Sequence, residues 1–115
     1  MFSRPDSRDL VADMIAAVDR IGSRIYGASF EQFAGDQDAL EIVSWNFMKL
    51  GEAAAQIDDA VKARFPDIEW NRATGIRNRI AHGYRTIDPA ILWDTAQSDL
   101  PPLLERLHSM LSELG

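Results

Sequence analysis

Apolar residues recur at steps of three and four along almost the whole chain. No stretch alternates apolar and polar residues with the period of two that a half-buried strand requires. Leu10, Val11, Met14, Ile15, Val18, Ile21 and Ile25 form one such stripe. Ala39, Leu40, Ile42, Val43, Asn46, Phe47, Leu50, Ala54, Ile57 and Val61 form the longest. This spacing commits the chain to an all-α fold, and short connections between helices favour antiparallel neighbours. With 115 residues the chain is long enough for one core and too short for two. The expectation is a single domain over 1–115, an antiparallel bundle of four to five helices.

Local signals divide that pattern. Ser7 is a candidate cap for the first helix and Gly27 its stop. Ser29, with Gln32 three residues on, has capping-box spacing for a short helical turn. The longest stripe predicts one helix from about Asp36 to Arg64, with Gly51 inside it as a point of close helix packing. Phe65-Pro66 breaks the run. The spacing then predicts a helix from Trp70 to Ala81, stopped by Gly83. Asp88 and Pro89 read as the N-cap and first position of the next helix. Pro101 and Pro102 either kink the chain or start a last helix capped by Asp99. Trp45, Trp70 and Trp93 fall on helical stripes and read as packing residues rather than base-stacking ones, with Trp70, which opens the helix of the arginine-rich segment, the candidate exception. Met14, Met48 and Met110 read as core filler, and His108 as a surface or packing residue.

Composition removes several kinds of chemistry. With no cysteine there is no disulfide, no thiolate nucleophile and no Cys-ligated zinc. The two histidines, His82 and His108, make a multi-His metal site within one chain an unpromising reading, so neither metal nor cofactor is expected. The N-terminal stretch is polar and lacks the apolar core of a signal peptide. No run approaches the ~20 apolar residues of a membrane span, so the expected compartment is the cytoplasm. The net charge of -6 argues against a general nucleic-acid binder. Yet from Asn71 to Thr86 the chain carries Arg72, Arg77, Arg79 and Arg85 with no Asp or Glu. A local basic patch on an acidic body suits a phosphate-bearing partner, although a solvated helix face gives the same pattern.

Within that patch, Arg77, Asn78, His82 and Tyr84 are the residues able to do chemistry. On a continuous helix Arg77 and His82 are about 140° apart, and Gly83 ends the helix, freeing His82 from that register. Together they suit metal-free RNA cleavage. A 2′-hydroxyl attacks the adjacent phosphate, imidazole moves protons near neutral pH, and a guanidinium binds two oxygens of the charged phosphorane. Asn78 is a candidate to orient the histidine or a phosphate oxygen, and Glu52 a candidate partner for Arg77 or for a neighbour's His82. One histidine is short of the acid and base that such cleavage needs. A symmetric dimer bringing two copies of His82 to one cleft supplies both. The plainer alternative is also open: a histidine in the last turn of a helix suits the macrodipole, and Arg77 then only pairs with Glu69 or Glu52.

The string Arg77-Asn78, then His82, then Tyr84 resembles the signature of HEPN-domain proteins, and in particular of the HepT toxins. The similarity extends to Asp36, Leu50-Gly51-Glu52-Ala53-Ala54, Glu69-Trp70, Ile87-Asp88-Pro89, Leu92-Trp93 and Asp99-Leu100-Pro101, nearly the whole chain. In one place the chain departs from the pattern: Trp45 precedes Asn46 where the family often has arginine. The resemblance implies a HEPN-like helical bundle that forms a homodimer, with Arg77 and His82 as the catalytic residues of a ribonuclease at the dimer interface. It also implies a toxin–antitoxin pair whose partner is a nucleotidyltransferase antitoxin. That enzyme transfers AMP from ATP to the motif tyrosine, here Tyr84, and silences the toxin. In that setting Arg72, Arg79 and Arg85 are candidate RNA contacts.

Two other readings stand beside the enzyme. One is a HEPN-type dimer that binds a nucleotidyltransferase or a nucleic acid and cleaves nothing, which the loss of arginine at Trp45 favours. The other is a substrate protein regulated by modification of Tyr84, which is compatible with the first.

Overall fold

In the computed structural model, which describes residues 5–81 and 88–115, every regular element is a helix. Five are long: α1 (Ser7–Ile25), α3 (Gln37–Gln56), α5 (Trp70–Ala81), α6 (Pro89–Ser98) and α7 (Leu100–Leu114). Two are short: α2 (Phe30–Ala34) and α4 (Asp59–Lys62). Among the described residues there is no strand, and no helix is long and apolar enough to cross a membrane. The fold is the expected all-α bundle, HEPN-like in kind.

The periodic stripes form the core. All seven apolar residues named for the first stripe are buried on α1. They meet Val43, Phe47, Leu50 and Ala54 of α3, which packs mainly between α1 and α5. Leu107 and Met110 bring α7 against α1. Tyr26 joins α1 to α6: its hydroxyl donates to the Ala96 carbonyl at 3.0 Å, and its ring lies where a Cβ at Gly22 would stand. Partial burial raises the pKa of this phenol above its ordinary value.

Most helix ends match their sequence signals. Ser29 and Gln32 form the reciprocal capping box of α2. Asp88 caps α6 by accepting from Ala90 N at 2.9 Å, with Pro89 in the first turn. Three expectations change. The cap of α1 is Asp6, whose carboxylate accepts from Arg8 N, and Ser7 is already helical. The helix expected over 36–64 is interrupted after Gln56. Ile57 turns to extended backbone (φ -67°, ψ 135°) with its side chain in the core, and α4 restarts beyond it. Asp99 does not cap α7 with its side chain, because its carboxylate is taken by Arg72.

Candidate functional site

The arginine-rich segment becomes α5, and its geometry scatters the charges. Ala73 and Ile76 face the core, so Arg77 falls at the margin of the buried stripe. Arg72 and Arg79, seven residues apart, share one face of α5, about 140–160° around the helix from Arg77. Arg72 turns toward α7 and grips Asp99 with two parallel bonds of 2.9 and 2.8 Å. That carboxylate holds the guanidinium pKa above its ordinary value. Arg79 is exposed. The basic run is thus not one patch within the described residues: Arg77 points away from the face that carries Arg72 and Arg79.

Arg77 turns toward α3. Its Nη1 donates to Glu52 Oε2 at 2.5 Å, with the arginine side chain 34% exposed and the glutamate 59%. A pair this open contributes at most ~1 kcal/mol to stability, so its main effect is to aim the guanidinium. The approach depends on Gly51. A Cβ there would stand 2.8 Å from Arg77 Cβ and 3.1 Å from its backbone nitrogen. The glycine expected to mark close packing marks it at the arginine itself. Of the two carboxylates weighed as partners of Arg77, Glu52 is the one bonded to it.

The guanidinium opens into a groove of about 570 Å³ over the outward face of α3, between the start of α1 and the end of α5. Asn78, exposed on α5, lines it, as do Lys49 and Trp45. Trp45 corrects an expectation: it is not a packing residue but 61% exposed. It lies about 160° around α3 from Val43, opposite the buried stripe. Met48 on the same face is exposed as well, whereas Met14 and Met110 are buried. Trp70 and Trp93 do pack. Trp70 Nε1 donates to the Phe65 carbonyl at 3.1 Å, and Trp93 lies against Phe30 and Phe33. His108 is on the surface.

His82, Tyr84 and Arg85 lie outside the described residues, as does Gly83. Their described neighbours are Ala81, which ends α5 one turn beyond Arg77, and Asp88, which caps α6. Among the described residues no three His, Asp or Glu side chains converge as metal ligands would.

Comparison with known proteins bears on this arrangement. The family described as "Ribonuclease HepT-like" matches residues 14–110. A protein of Thermococcus cleftensis named "Probable ribonuclease HepT" is 28% identical, covering 90% of this chain and 94% of its own. One of Methanocaldococcus jannaschii named a "Putative RNase" is 21% identical over 95% of this chain and 94% of its own. Another so named, from Caldanaerobacter subterraneus, is 23% identical over 78% and 80%. No solved structure matches. With the match running from α1 to α7 and including both Glu52 and Arg77, the chain belongs to the HepT-like ribonuclease family.

Proposed function

We propose that this chain is the toxin of a toxin–antitoxin pair: a cytoplasmic, metal-independent endoribonuclease that works as a homodimer. The observation that carries the reading is Arg77, held by Glu52 in an open groove on the helix that leads into His82. The family's relatives are named as ribonucleases, which supports RNA as the substrate.

In the reaction, the 2′-oxygen of a ribose attacks the adjacent phosphorus, and the bond from phosphorus to the 5′-oxygen breaks. The products are a cyclic phosphate and a free 5′-hydroxyl. His82 of one copy takes the proton of the 2′-hydroxyl, and His82 of the other protonates the leaving oxygen. Arg77 exchanges Glu52 for two phosphate oxygens and balances the charge that grows on them. Asn78 lines the same groove and donates to the phosphate or to His82. Arg72, Arg79 and Arg85 add electrostatic attraction for the strand. A nucleotidyltransferase antitoxin ends the activity. The Tyr84 oxygen attacks the α-phosphorus of ATP, pyrophosphate leaves, and the AMP ester places a phosphate and a purine beside Arg77 and Arg85.

The test is RNA cleavage by the parent chain and by Arg77→Ala, His82→Ala and Tyr84→Phe, in EDTA, with and without a cognate transferase and ATP-magnesium pretreatment. Arg77→Ala and His82→Ala are expected to lose at least ~100-fold in rate while melting like the parent. Tyr84→Phe is expected to cleave, to gain no AMP by mass, and to resist silencing. If the histidine variant cleaves as fast as the parent, or EDTA stops the parent, the mechanism is wrong. A parent that binds RNA without cutting it makes the chain a binding module.

A further inference from the structure

Trp45 is the most exposed large apolar side chain among the described residues. An indole offers more apolar surface to bury than other side chains, so leaving it in water in the groove that holds Arg77 is costly unless something covers it. Seven residues separate Trp45 from Glu52, which is two helical turns. Both therefore project from one face of α3, about 10 Å apart along its axis. Glu52 is where the Arg77 guanidinium is held, and the groove connects the two points past Lys49.

We propose that Trp45 is a base-stacking platform that holds an unpaired RNA base next to the nucleotide whose phosphate meets Arg77. The inference rests on RNA being the substrate. A flat aromatic face in a groove that holds cations, here Lys49 one helical turn away and Arg77 beyond it, is how single strands are gripped without regard to sequence. A second copy of the chain is the competing occupant, and the surroundings disfavour it. Trp45 and Met48 are the large exposed apolar residues of the groove, and Asp13, Lys49, Glu52 and Gln56 surround them. The cores of protein interfaces are depleted in such charge. Trp70 and Trp93 are not alternatives, because the first is bonded to Phe65 and the second packs on Phe30 and Phe33. Where the resemblance leads one to expect an arginine, this chain carries an indole, which offers a stack in place of a charge.

The experiment measures binding of a dye-labelled single-stranded RNA, with its 2′-hydroxyls methylated to block cleavage, by fluorescence anisotropy. The full chain is compared with Trp45→Ala and Trp45→Phe, and the RNA with a version carrying abasic sites. Sedimentation of each protein and cleavage of unmodified RNA are measured alongside. Trp45→Ala is expected to bind about ten- to a hundred-fold more weakly, the effect of one lost stack, and Trp45→Phe to keep most of the affinity. Removing bases should weaken binding by the parent and leave Trp45→Ala unaffected. Equal affinity of Trp45→Ala and the parent overturns the proposal. So does a Trp45→Ala that sediments as a smaller species, since it assigns the face to a second copy. If the parent cleaves RNA while Trp45→Ala binds as tightly, stacking alone fails. If the parent neither binds nor cleaves, the ribonuclease reading fails and stacking with it.

Discussion

Replacing glycine by alanine inside an exposed helix ordinarily stabilises a protein by about 1 kcal/mol. At Gly51 the sign is expected to reverse. The added methyl would meet Arg77 Cβ and its backbone nitrogen, neither of which is the loose end of a side chain. Helices α3 and α5 must part, and overpacking of this kind costs about 1–3 kcal/mol. Urea denaturation of Gly51→Ala checks it: a midpoint at or above the parent's would show that the interface yields freely. Serine at 51 meets the same atoms and should behave alike. The sequence marked this glycine as a packing point but not what packs there, since the partner lies 26 positions away and only the fold brings it near. Trp45 shows the opposite failure. Its place among many apolar residues of α3 hid that it faces away from Val43, because a helix apolar on most of its surface does not declare which stripe is core.

At the scale of elements, the Arg72–Asp99 pair fastens the first turn of α5 to the start of α7. The Asp99 side chain is 10% exposed against 57% for Arg72, so the carboxylate depends on its partner more than the arginine does. Arg72→Ala is expected to lower the melting temperature, with Arg72→Lys restoring only part because it loses the two-pronged grip. Adding Asp99→Asn to Arg72→Ala should cost little further, a coupling that a double-mutant cycle by thermal melting reads directly. Additive losses would mean that the two side chains act independently. Any loss of RNA affinity in Arg72→Ala has to be read beside this loss of stability. The sequence showed the starts of α2, α5 and α6 well, because the capping box at Ser29, Pro66 and the Asp88-Pro89 pair act within a few residues of themselves. It did not show the break at Ile57. The three-four spacing runs on to Val61, and only the pull of the core on the Ile57 side chain turns the backbone there. The Glu52–Arg77 pairing was legible as one of two options, and geometry selected it.

On the scale of the whole molecule, the proposed chemistry asks for two histidines and each chain brings His82 alone. Mixing parent copies with His82→Ala copies, after denaturing and refolding them together, separates the possibilities. If one cleft needs His82 from both copies, the cleavage rate should fall with the square of the parent fraction. A linear fall means that each copy works alone, and sedimentation as a single monomeric species means that no dimer forms.

The close approach at Gly51 also has a bearing on descent. It ties two positions that no motif connects: a larger side chain at 51 pushes the backbone at 77, and the arginine with it, out of its present place. A chain of this fold that drifts to a bulky residue at the first position has little reason to keep the second. The state of position 51 in a relative therefore offers a sign, readable without any assay, of whether its groove still holds a cation. A gene copy that has turned from cutting to mere binding is expected to show the change there as readily as at the arginine.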